Sequence, residues 1–453
     1  MMVTAMPREM NALRELPDEV RLVFDSLAAA GGRGWLVGGT ARDLLRGVVP
    51  QDFDMATDLR PERLEELFPQ ADFRDRKLGA CRFTDLKWPA VLTTLRRESD
   101  YADHRHPRCV EFVEDPVVDA ERRDFTVNAI YLDPVREECI DPYAGRTDLE
   151  SGVLRAIGDP LVRFEEDALR LLRALRFAAL LGAEMELATR EAAIRCAPLL
   201  EHLSATRVYD ELTRTFTGPN RGAALRQFVE LGFAAVLMPE VAAMDGVEQP
   251  PEYHPEGCVL THVCLVLENV REGSPLQAWS AVLHDIGKPP TFERAVDRIR
   301  FSGHDRISAT MAGEVLDRLA APRDVREGVM DICQHHIRFA SLMQMRPRRR
   351  EAWMREPLFR EHLEFHRADC MGCHADLSLY EAARAALEAL PPQHPSPLRG
   401  ADVIGLGVPP GPLVGELLRA AQERLESTGS GPWPRDEALE VLAGLVASRI
   451  KTS

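Results

Sequence analysis

The amino-acid sequence predicts an α/β head over residues 1–150 and an all-helical remainder. Short runs at 35–37, 90–95 and 109–113, rich in β-branched and aromatic residues, alternate with helical patterns in the head, which is typical of a mixed sheet. From residue 160 onward, apolar residues recur at helical spacing instead. With 453 residues, 45% of them hydrophobic and 28% charged, the chain is long enough to bury several cores.

The first elements of the head follow from periodicity and from glycine breaks. Apolar residues at i, i+3, i+4 and i+7 predict an amphipathic helix over 18–30, which a pair of glycines ends. A strand at 35–37, a helix at 40–46 and a second strand around 52–55 follow directly. The head is therefore predicted to alternate helices and short strands.

Composition divides the helical remainder into three segments. Residues 151–245 carry one long apolar stripe and are predicted to form a helical neck. The proline-rich segment 246–256 is interpreted as a linker that opens a His- and Asp-rich domain over 246–345. The last segment, 346–453, begins with the basic run RPRRR and is predicted to form a helical tail.

Charge and composition exclude several classes of protein. The net charge of −16 argues against a chain that coats nucleic acid by charge alone, although a local basic groove is compatible with it. No apolar run approaches the roughly 18 residues of a membrane-spanning helix, so we expect a cytoplasmic protein without a membrane partner. The nine cysteines are expected to be reduced, and the CMGCH run at 370–374 is not expected to hold haem, because haem attachment needs export.

The first chemical motif places two glycines and two carboxylates at the ends of neighbouring elements. Gly38 and Gly39 lie between a strand and a helix start, where the backbone can approach a phosphate and Arg42 adds a charged fork. Asp52 and Asp54 are two apart on the next strand, so their side chains point the same way. Such a pair suits Mg²⁺, which prefers oxygen ligands together with substrate phosphates. The motif predicts a nucleotide site; the alternative is a turn beside a solvated strand end.

Two further motifs add guanidinium groups. In RRDFTVNA at 122–129, Arg123 adjoins an apolar run and is predicted to hold a triphosphate opposite Arg42, with a surface ion pair as the alternative. In EEDALRLLRALR at 165–176, residues three apart lie on neighbouring rows of a helix, which predicts a polar ridge of Asp167, Arg170, Arg173 and Arg176. A carboxylate beside a guanidinium can recognise the edge of a base; the alternative is a solvated charged face.

A fourth motif combines histidines and carboxylates in the domain over 246–345. His284 and Asp285 end an apolar helix, so both can reach one metal together with imidazoles from other helices. This set suits a divalent transition metal with open positions for a hydrolytic water, whereas the alternative is a helical body with structural histidines. The predicted ligands are His262, His284, Asp285, His304, His335 and Asp369, the last placed only by its order in the sequence.

In this order, LVGGTARDLLRG, DFDMATD, RRDFTVNA and EEDALRLLRALRFA resemble the motifs of the class II nucleotidyltransferases, the family of CCA-adding enzymes and bacterial poly(A) polymerases. The resemblance implies a DNA polymerase β-like palm as head, a helical neck, and Asp52 and Asp54 as catalytic carboxylates that bind Mg²⁺. For the nucleotide it implies Gly38, Gly39, Arg42, Arg123, Arg173 and Arg176 at the triphosphate and ribose, and Asp167 and Arg170 at the base.

One departure and two further resemblances complete the pattern. Family members often carry a glutamate in the strand before a Thr-Thr-Phe-Arg run, whereas the matching run here, AVLTTLR at 90–96, has none, so a third carboxylate is expected to be absent. Residues 100–107 resemble the family's flexible loop, which favours an enzyme that adds A. The His-Asp motif resembles the HD domain of metal-dependent phosphohydrolases, which some bacterial family members carry.

The sequence therefore supports a template-independent nucleotidyltransferase that adds CMP and AMP from CTP and ATP to the 3′ end of tRNA and releases pyrophosphate. Within the family, the alternatives are a poly(A) polymerase and an enzyme that adds only A. From other classes, the alternatives are an HD phosphohydrolase with a non-catalytic head and a non-catalytic RNA-binding protein. The oligomeric state stays open.

Overall fold

The computed structural model describes residues 3–5, 13, 16–84, 86–101, 107–252, 254–296, 298–390, 396–428 and 432–450. The chain divides into two compact units. The first contains Met1–Met345 and Arg355–Tyr380, and the second contains Arg346–Met354 and Glu381–Ser453. None of the helices in the described part of the chain combines the length and apolar character needed to span a lipid bilayer. Most of the predicted flexible loop, at 102–106, lies outside the described residues.

A mixed sheet forms the head, as predicted. Among the described residues its strand order is β1-β9-β8-β2-β3-β5-β4, with β3 and β5 parallel and the other pairs antiparallel, and β6 and β7 form a separate hairpin. The strands are β1 (Val3–Ala5), β2 (Gly34–Leu36), β3 (Phe53–Thr57), β4 (Ala80–Phe83), β5 (Ala90–Thr94), β6 (Arg96–Tyr101), β7 (Pro107–Phe112), β8 (Tyr131–Asp133) and β9 (Glu138–Ile140).

Helices cover this sheet with the apolar faces that the sequence predicts. The first helix buries Val20, Val23, Phe24 and Leu27 and ends at Ala29, one residue before the predicted end. The helices of the head are α1 (Asp18–Ala29), α2 (Gly38–Leu45), α3 (Pro61–Leu67), α4 (Pro116–Ala120) and α5 (Gly145–Ser151). The strand around 52–55 is observed as β3, which leaves Asp52 just before it.

The chain beyond residue 159 is mainly helical. Its helices are α6 (Pro160–Glu166), α7 (Leu169–Leu181), α8 (Leu187–Cys196), α9 (Ala205–Thr217), α10 (Arg221–Glu230), α11 (Phe233–Leu237), α12 (Pro239–Ala242), α13 (Val259–Asn269), α14 (Pro275–Leu283), α15 (His304–Arg318), α16 (Arg323–Phe339), α17 (Pro347–Met354), α18 (Phe359–Met371), α19 (Ser378–Glu388), α20 (Gly400–Gly405), α21 (Pro412–Thr428) and α22 (Arg435–Ile450). The short strands β10 (Val153–Leu154) and β11 (Glu184–Met185) pair in parallel. The domain over 246–345, which was expected to be helical, also contains one short antiparallel hairpin of β12 (Phe292–Arg294) and β13 (Ile299–Phe301).

One hydrophobic core runs through the helical part of the first unit and reaches into the head. Phe125 and Val127, from the RRDFTVNA motif, belong to the same cluster as Leu171 of α7 and Phe365 of α18. Phe125 packs edge-to-face on Phe177 at 5.8 Å between ring centroids. The arginine-rich motifs of head and neck are therefore anchored by shared apolar packing.

The second unit has a core of its own. Leu398, Val403, Ala421 and Leu442 are buried within it and link α20, α21 and α22. In the basic run that opens this unit, Arg348 pairs with Glu423 of α21. At least one of these arginines is thus part of an intramolecular ion pair.

Candidate functional site

The glycine turn after β2 lies directly against a carboxylate of β3. Gly38 has a φ of +60°, and a Cβ at this position would stand 3.3 Å from Oδ2 of Asp54. A side chain there would be strained and would crowd the carboxylate. The hydroxyl of Thr40 accepts a hydrogen bond from the backbone N–H of Asp54 at 2.7 Å and donates to the carbonyl of Asp52 at 3.2 Å. Thr40 therefore links the glycine turn to the backbone of both aspartates.

The two carboxylates differ in environment. Asp52 is exposed just before β3, whereas Asp54 is half-buried within it. Burial raises the pKa of Asp54, and the neighbouring Asp52 raises it further against the opposing effect of Arg123. Val91 is the partner of Asp54 on the parallel strand β5, so the residue paired with this carboxylate is apolar. A divalent cation beside Asp54 would offset the cost of ionising it, which fits a cation site at this pair.

Two of the predicted arginines meet at one asparagine. Nη1 of Arg42 donates to Oδ1 of Asn128 at 2.9 Å, and Nη1 of Arg123 donates to the Asn128 carbonyl at 3.2 Å. Arg123 also donates through Nε to the hydroxyl of Tyr131 at 2.8 Å. Both guanidinium groups are therefore fixed in position before any ligand arrives.

The ring of Phe177 contacts three guanidinium groups, one from the head and two from α7. Arg42, Arg173 and Arg176 stand over this ring at 5.1, 5.1 and 4.3 Å from its centroid. Nη2 of Arg173 also lies 2.6 Å from Oδ2 of Asp124. Burial alone would raise the pKa of Asp124, but Arg173 and the Asn128 amide lower it to about 2. This charged pair links the RRDFTVNA motif to α7.

Asp167 and Arg170 do not share a continuous helix. Asp167 has extended backbone between α6 and α7, and its Oδ1 accepts a hydrogen bond from the N–H of Leu169 at 3.1 Å. Nη1 of Arg170 donates to the carbonyl of Arg163 at 2.9 Å and to Oε2 of Glu166 at 2.7 Å, and Nη2 donates to the carbonyl of Arg122 at 2.9 Å. In this structure Arg170 thus joins neck to head through backbone carbonyls. Burial raises the pKa of Asp167, which lines the same cavity.

The glycines, carboxylates and arginines predicted for the nucleotide site, together with Asp124, Asn128 and Phe177, line one cavity of about 760 Å³. Nine arginines and six carboxylates face it, so the lining is basic in a chain whose total charge is −16. A cavity with excess guanidinium groups and one carboxylate pair suits a polyphosphate that arrives with a cation. The arginines are Arg42, Arg96, Arg122, Arg123, Arg170, Arg173, Arg176, Arg207 and Arg214, and the acids are Asp43, Asp52, Asp54, Glu98, Asp124 and Asp167.

Several residues of this lining were not predicted from the sequence. Asp124 and Asn128 lie inside the RRDFTVNA motif, but no role was predicted for them. Arg207 and Arg214 lie seven residues apart on α9, which places them on one helix face. That spacing was visible in the sequence and is the signal that could have found them.

A second cluster lies in the domain over 246–345 and consists of imidazoles whose Nδ1 atoms are bonded to protein groups around the cluster. Nδ1 of His284 donates to the carbonyl of Ala281 at 2.9 Å, and Nδ1 of His304 donates to that of Phe301 at 2.8 Å. Nδ1 of His336 donates to the carbonyl of Cys333 at 2.6 Å, and Nδ1 of His262 lies 2.9 Å from Oε1 of Glu256. This arrangement directs the Nε2 atoms inward, as in metal sites whose imidazoles are oriented by their outer nitrogen.

Asp285 lies at the centre of this cluster. Its Oδ2 is 3.2 Å from Nε2 of His284, and its Oδ1 is 3.4 Å from Nε2 of His304 and 3.8 Å from Nε2 of His336. Nε2 of His262 lies 3.0 Å from Oδ1 of Asp369. These contacts form two sets of atoms that are close enough to hold an ion. One set is His262, His284 and Asp369, and the other is Asp285, His304 and His336.

The structure corrects one predicted ligand and one predicted linker. His335 does not face Asp285; its Nδ1 lies 3.2 Å from Asp331, and its neighbour His336 takes the place beside Asp285. The segment interpreted as a linker supplies Glu256, which contacts His262. Burial lowers the pKa of His262, but hydrogen bonds to Asp369 and Glu256 raise it to about 9.

Two family models match the chain. The "Poly A polymerase head domain" matches residues 34–155, and the "Probable RNA and SrmB- binding site of polymerase A" matches residues 182–244. The first range contains the glycine turn and the carboxylate pair. Fold and site together define a protein of the nucleotidyltransferase class with a poly(A) polymerase head.

Curated relatives narrow this class. The CCA-adding enzyme of Streptococcus suis is 34% identical over 280 residues, which cover 59% of this chain and 68% of that protein. The CCA-adding enzyme of Geobacillus thermodenitrificans is 38% identical over 215 residues, or 48% of this chain, and the match spans about half of that relative's length, 53%. The chain belongs to the family of the CCA-adding enzymes.

Solved structures share the fold. The crystal structure of the Bacillus stearothermophilus CCA-adding enzyme in complex with CTP has a TM-score of 0.69 at 25% identity, with 99% of this chain and 100% of that chain covered. The Thermotoga maritima CCA-adding enzyme complexed with tRNA has a TM-score of 0.60 at 18% identity with the same coverage. The polymerase-like head and helical body predicted from the sequence are therefore confirmed.

Proposed function

We propose that this protein adds CMP and AMP from CTP and ATP to the 3′ end of tRNA without a nucleic acid template and thereby builds or repairs the CCA end. The observation that carries the proposal is the basic cavity whose lining includes Asp52 and Asp54. Structures of similar fold are described in complex with CTP, with ATP and with tRNA. We assign RNA binding to the helical segments 151–245 and 346–453.

Within the cavity, each group has a proposed task. Arg42, Arg123, Arg173 and Arg176 hold the triphosphate and ribose, with the backbone of Gly38 and Gly39 close to the phosphates. Asp52 and Asp54 suit Mg²⁺, which when bound activates the 3′ hydroxyl and stabilises the leaving pyrophosphate. The 3′ hydroxyl of the tRNA attacks the α-phosphate in line, and pyrophosphate leaves.

Three tRNA substrates separate this proposal from its alternatives within the family. The substrates end before the CCA sequence, after its two cytidines and as the complete CCA end, and each is incubated with CTP and ATP singly and together. Addition of CCA followed by arrest supports the proposal. Addition of A only to the CC end indicates an A-adding enzyme, and an open-ended A tail indicates a poly(A) polymerase.

Base selection is proposed for Asp167, supported by its position in the cavity beside Arg170. A carboxylate there can accept a hydrogen bond from the exocyclic amine that C and A share and that U lacks. Arg170 is proposed to donate to the ring next to that amine, for which its amino groups would exchange their present partners, two backbone carbonyls and the carboxylate of Glu166.

The Asp167→Ala variant is expected to relax this selection. In the unaltered protein, UTP would leave the Asp167 carboxylate without a hydrogen-bond donor, which costs about 1–3 kcal/mol. Alanine removes this cost, so the kcat/KM for UTP should rise relative to that for CTP by roughly ten- to a hundredfold. The measurement is kcat/KM for all four nucleotides on a tRNA that lacks CCA.

Asp159→Ala is the matched control for that variant. Asp159 accepts a hydrogen bond from the N–H of Leu161 just as Asp167 does from Leu169, but it does not line the cavity. An equal loss for all nucleotides in Asp167→Ala, with their ratios unchanged, would show that Asp167 only caps α7.

A second activity, metal-dependent hydrolysis of phosphoesters, is proposed for the His-Asp cluster. The inward Nε2 atoms of His262, His284, His304 and His336, with Asp285 and Asp369, support a divalent transition metal as the cofactor. Such an ion, when bound, lowers the pKa of a coordinated water so that it can attack a phosphoester. The outer contacts of the imidazoles fix the side chains that would surround it.

Metal affinity at this cluster is expected to increase with pH. His262 keeps its proton below a pKa of about 9, whereas a metal ligand must be a neutral imidazole, so binding releases a proton. The apparent affinity for Co²⁺ should rise about tenfold for each unit between about pH 7 and about 9, and then level off. Titrations at several pH values, with proton release recorded in weak buffer, test this. A Co²⁺ affinity that stays constant over that range would contradict the prediction. Because Glu256 helps to raise the pKa of His262, Glu256→Gln should move the pH at which the affinity levels off to a lower value.

A further inference from the structure

A separate group of two imidazoles and one carboxylate joins α16 to α18 on another side of the His-Asp cluster. Asp331 and His335 lie four residues apart on α16, so their side chains share one face of the helix. His362 reaches them from α18. Their ligand atoms all lie within 4.8 Å of one another.

The carboxylate of Asp331 stands between the two imidazoles. Its Oδ2 is 2.7 Å from Nε2 of His362, and its Oδ1 is 3.2 Å from Nδ1 of His335, which also donates to the backbone carbonyl of Asp331 at 3.0 Å. The carboxylate therefore bridges an imidazole of α16 and an imidazole of α18. Two imidazoles and a carboxylate are a donor set typical of divalent transition ions.

Access also suits an ion that exchanges with solvent. The side chains of Asp331 and His335 are 36% and 23% exposed, whereas that of His362 is 2% exposed. One side of the group is therefore open and the other is anchored in the protein. An ion held by three protein groups in this way would keep at least one position for water.

The group is distinct from the Asp285 cluster although it shares two helices with it. His335 and His336 are consecutive, so they point about 100° apart around α16 and serve different sites. On α18, His362 and Asp369 lie seven residues apart, roughly 10 Å along the axis. The same two helices therefore carry both groups.

We propose that Asp331, His335 and His362 form a second binding site for a divalent transition ion such as Zn²⁺, which ties α16 to α18. These helices also supply His336 and Asp369 to the Asp285 cluster. The ion therefore keeps His336 and Asp369 in fixed positions relative to each other. The role is structural and does not depend on either proposed activity.

The test measures bound metal on the full-length chain after removal of metal by a chelator. The parent variant combines His262→Gln with His304→Gln, which removes a ligand from every other set of atoms in the described part of the chain that could hold an ion, so that the group around Asp331 is observed alone. Zn²⁺ is the equilibrium probe, and Co²⁺ reports the ligand field through its visible absorption. The variants are His335→Gln, whose side chain is partly exposed, and His362→Gln, whose side chain is buried. His202→Gln, at an exposed position that belongs to none of these groups in the described part of the chain, is the control.

The parent and His202→Gln should each retain one Zn²⁺ and show a Zn²⁺-dependent rise in melting temperature. His335→Gln should weaken that binding by more than about tenfold and abolish the rise. If His362→Gln is poorly folded, His335→Gln alone decides the outcome. Equal Zn²⁺ binding by the parent and His335→Gln would overturn the proposal and leave a hydrogen-bonded contact between helices.

Discussion

The Asp54→Asn variant is expected to lose nucleotide addition almost completely while its fold is unharmed. Asparagine keeps the shape of the side chain but removes the charge that a cation beside Asp52 requires. The loss should be at least the 10²–10³-fold, in order of magnitude, that follows removal of one group stabilising a transition state. Incorporation of CMP and AMP into a tRNA that lacks CCA is the measurement.

The pKa of Asp54 sharpens this prediction. Because burial and Asp52 raise this pKa above its ordinary value, the ionised carboxylate destabilises the metal-free fold at neutral pH. That penalty disappears as the pH falls through the raised pKa and the group is protonated. Asp54→Asn removes it at every pH, so its melting temperature without metal should equal or exceed that of the unaltered protein near pH 7.

Asp58→Asn is the matched control because it removes the same charge just beyond the opposite end of β3. Oδ1 of Asp58 accepts a hydrogen bond from the N–H of Arg33 at 2.7 Å, and an asparagine can still accept it. This variant should add nucleotides normally. Substantial turnover in Asp54→Asn, or an equal loss in Asp58→Asn, would refute the assignment of the carboxylate.

Sequence reasoning succeeded where a pattern repeats over several residues or where a motif is contiguous. The helix predicted over 18–30 is observed as α1, because four apolar residues at helical spacing leave one buried face. The glycine turn and Asp54 were predicted to adjoin, and they do, because the strands β2 and β3 that carry them are neighbours in the sheet.

It failed where a structure depends on packing partners that lie far away in the chain. The strands β8 and β12 are three residues long, too short for any periodicity to appear. Asp167 was placed on a helical ridge with Arg170, yet the backbone is extended at Asp167 and α7 begins after it. A break of one residue in a helical pattern leaves no signal in the apolar spacing.

The histidine pair at 335 and 336 illustrates the same limit within a correctly predicted helix. Two consecutive imidazoles are chemically identical in the sequence, and only the rotation of α16 decides which one faces Asp285. That rotation is set by the buried residues Val329, Ile332 and Cys333, which pack in the core on contacts from other helices. Of this pair the sequence prediction named His335 as the ligand, whereas His336 is the imidazole beside Asp285.

Removal of the central carboxylate is the decisive test of the second proposed activity. Asp285→Asn should abolish metal-dependent hydrolysis of a 2′,3′-cyclic phosphate, because Asp285 is close to both sets of imidazoles. Nucleotide addition should continue, since the Asp52 and Asp54 pair belongs to a separate cavity. Hydrolysis is measured with Mg²⁺, Mn²⁺, Ni²⁺ and Co²⁺ in turn, beside CMP incorporation in the same preparation.

The neighbouring lysine makes a second variant necessary. Nζ of Lys288 is buried 2.7 Å from Oδ2 of Asp285, and a buried ammonium without its carboxylate is costly. His304→Gln avoids this cost, because His304 lies at the edge of the cluster, and it should also lose hydrolysis while the melting temperature changes little. His374→Gln, at an exposed position outside these ligand groups in the described part of the chain, should retain both activities. If the unaltered protein hydrolyses no phosphoester with any of the four ions, or if His304→Gln is as active as His374→Gln, the inward imidazoles hold the helices together and take no part in catalysis.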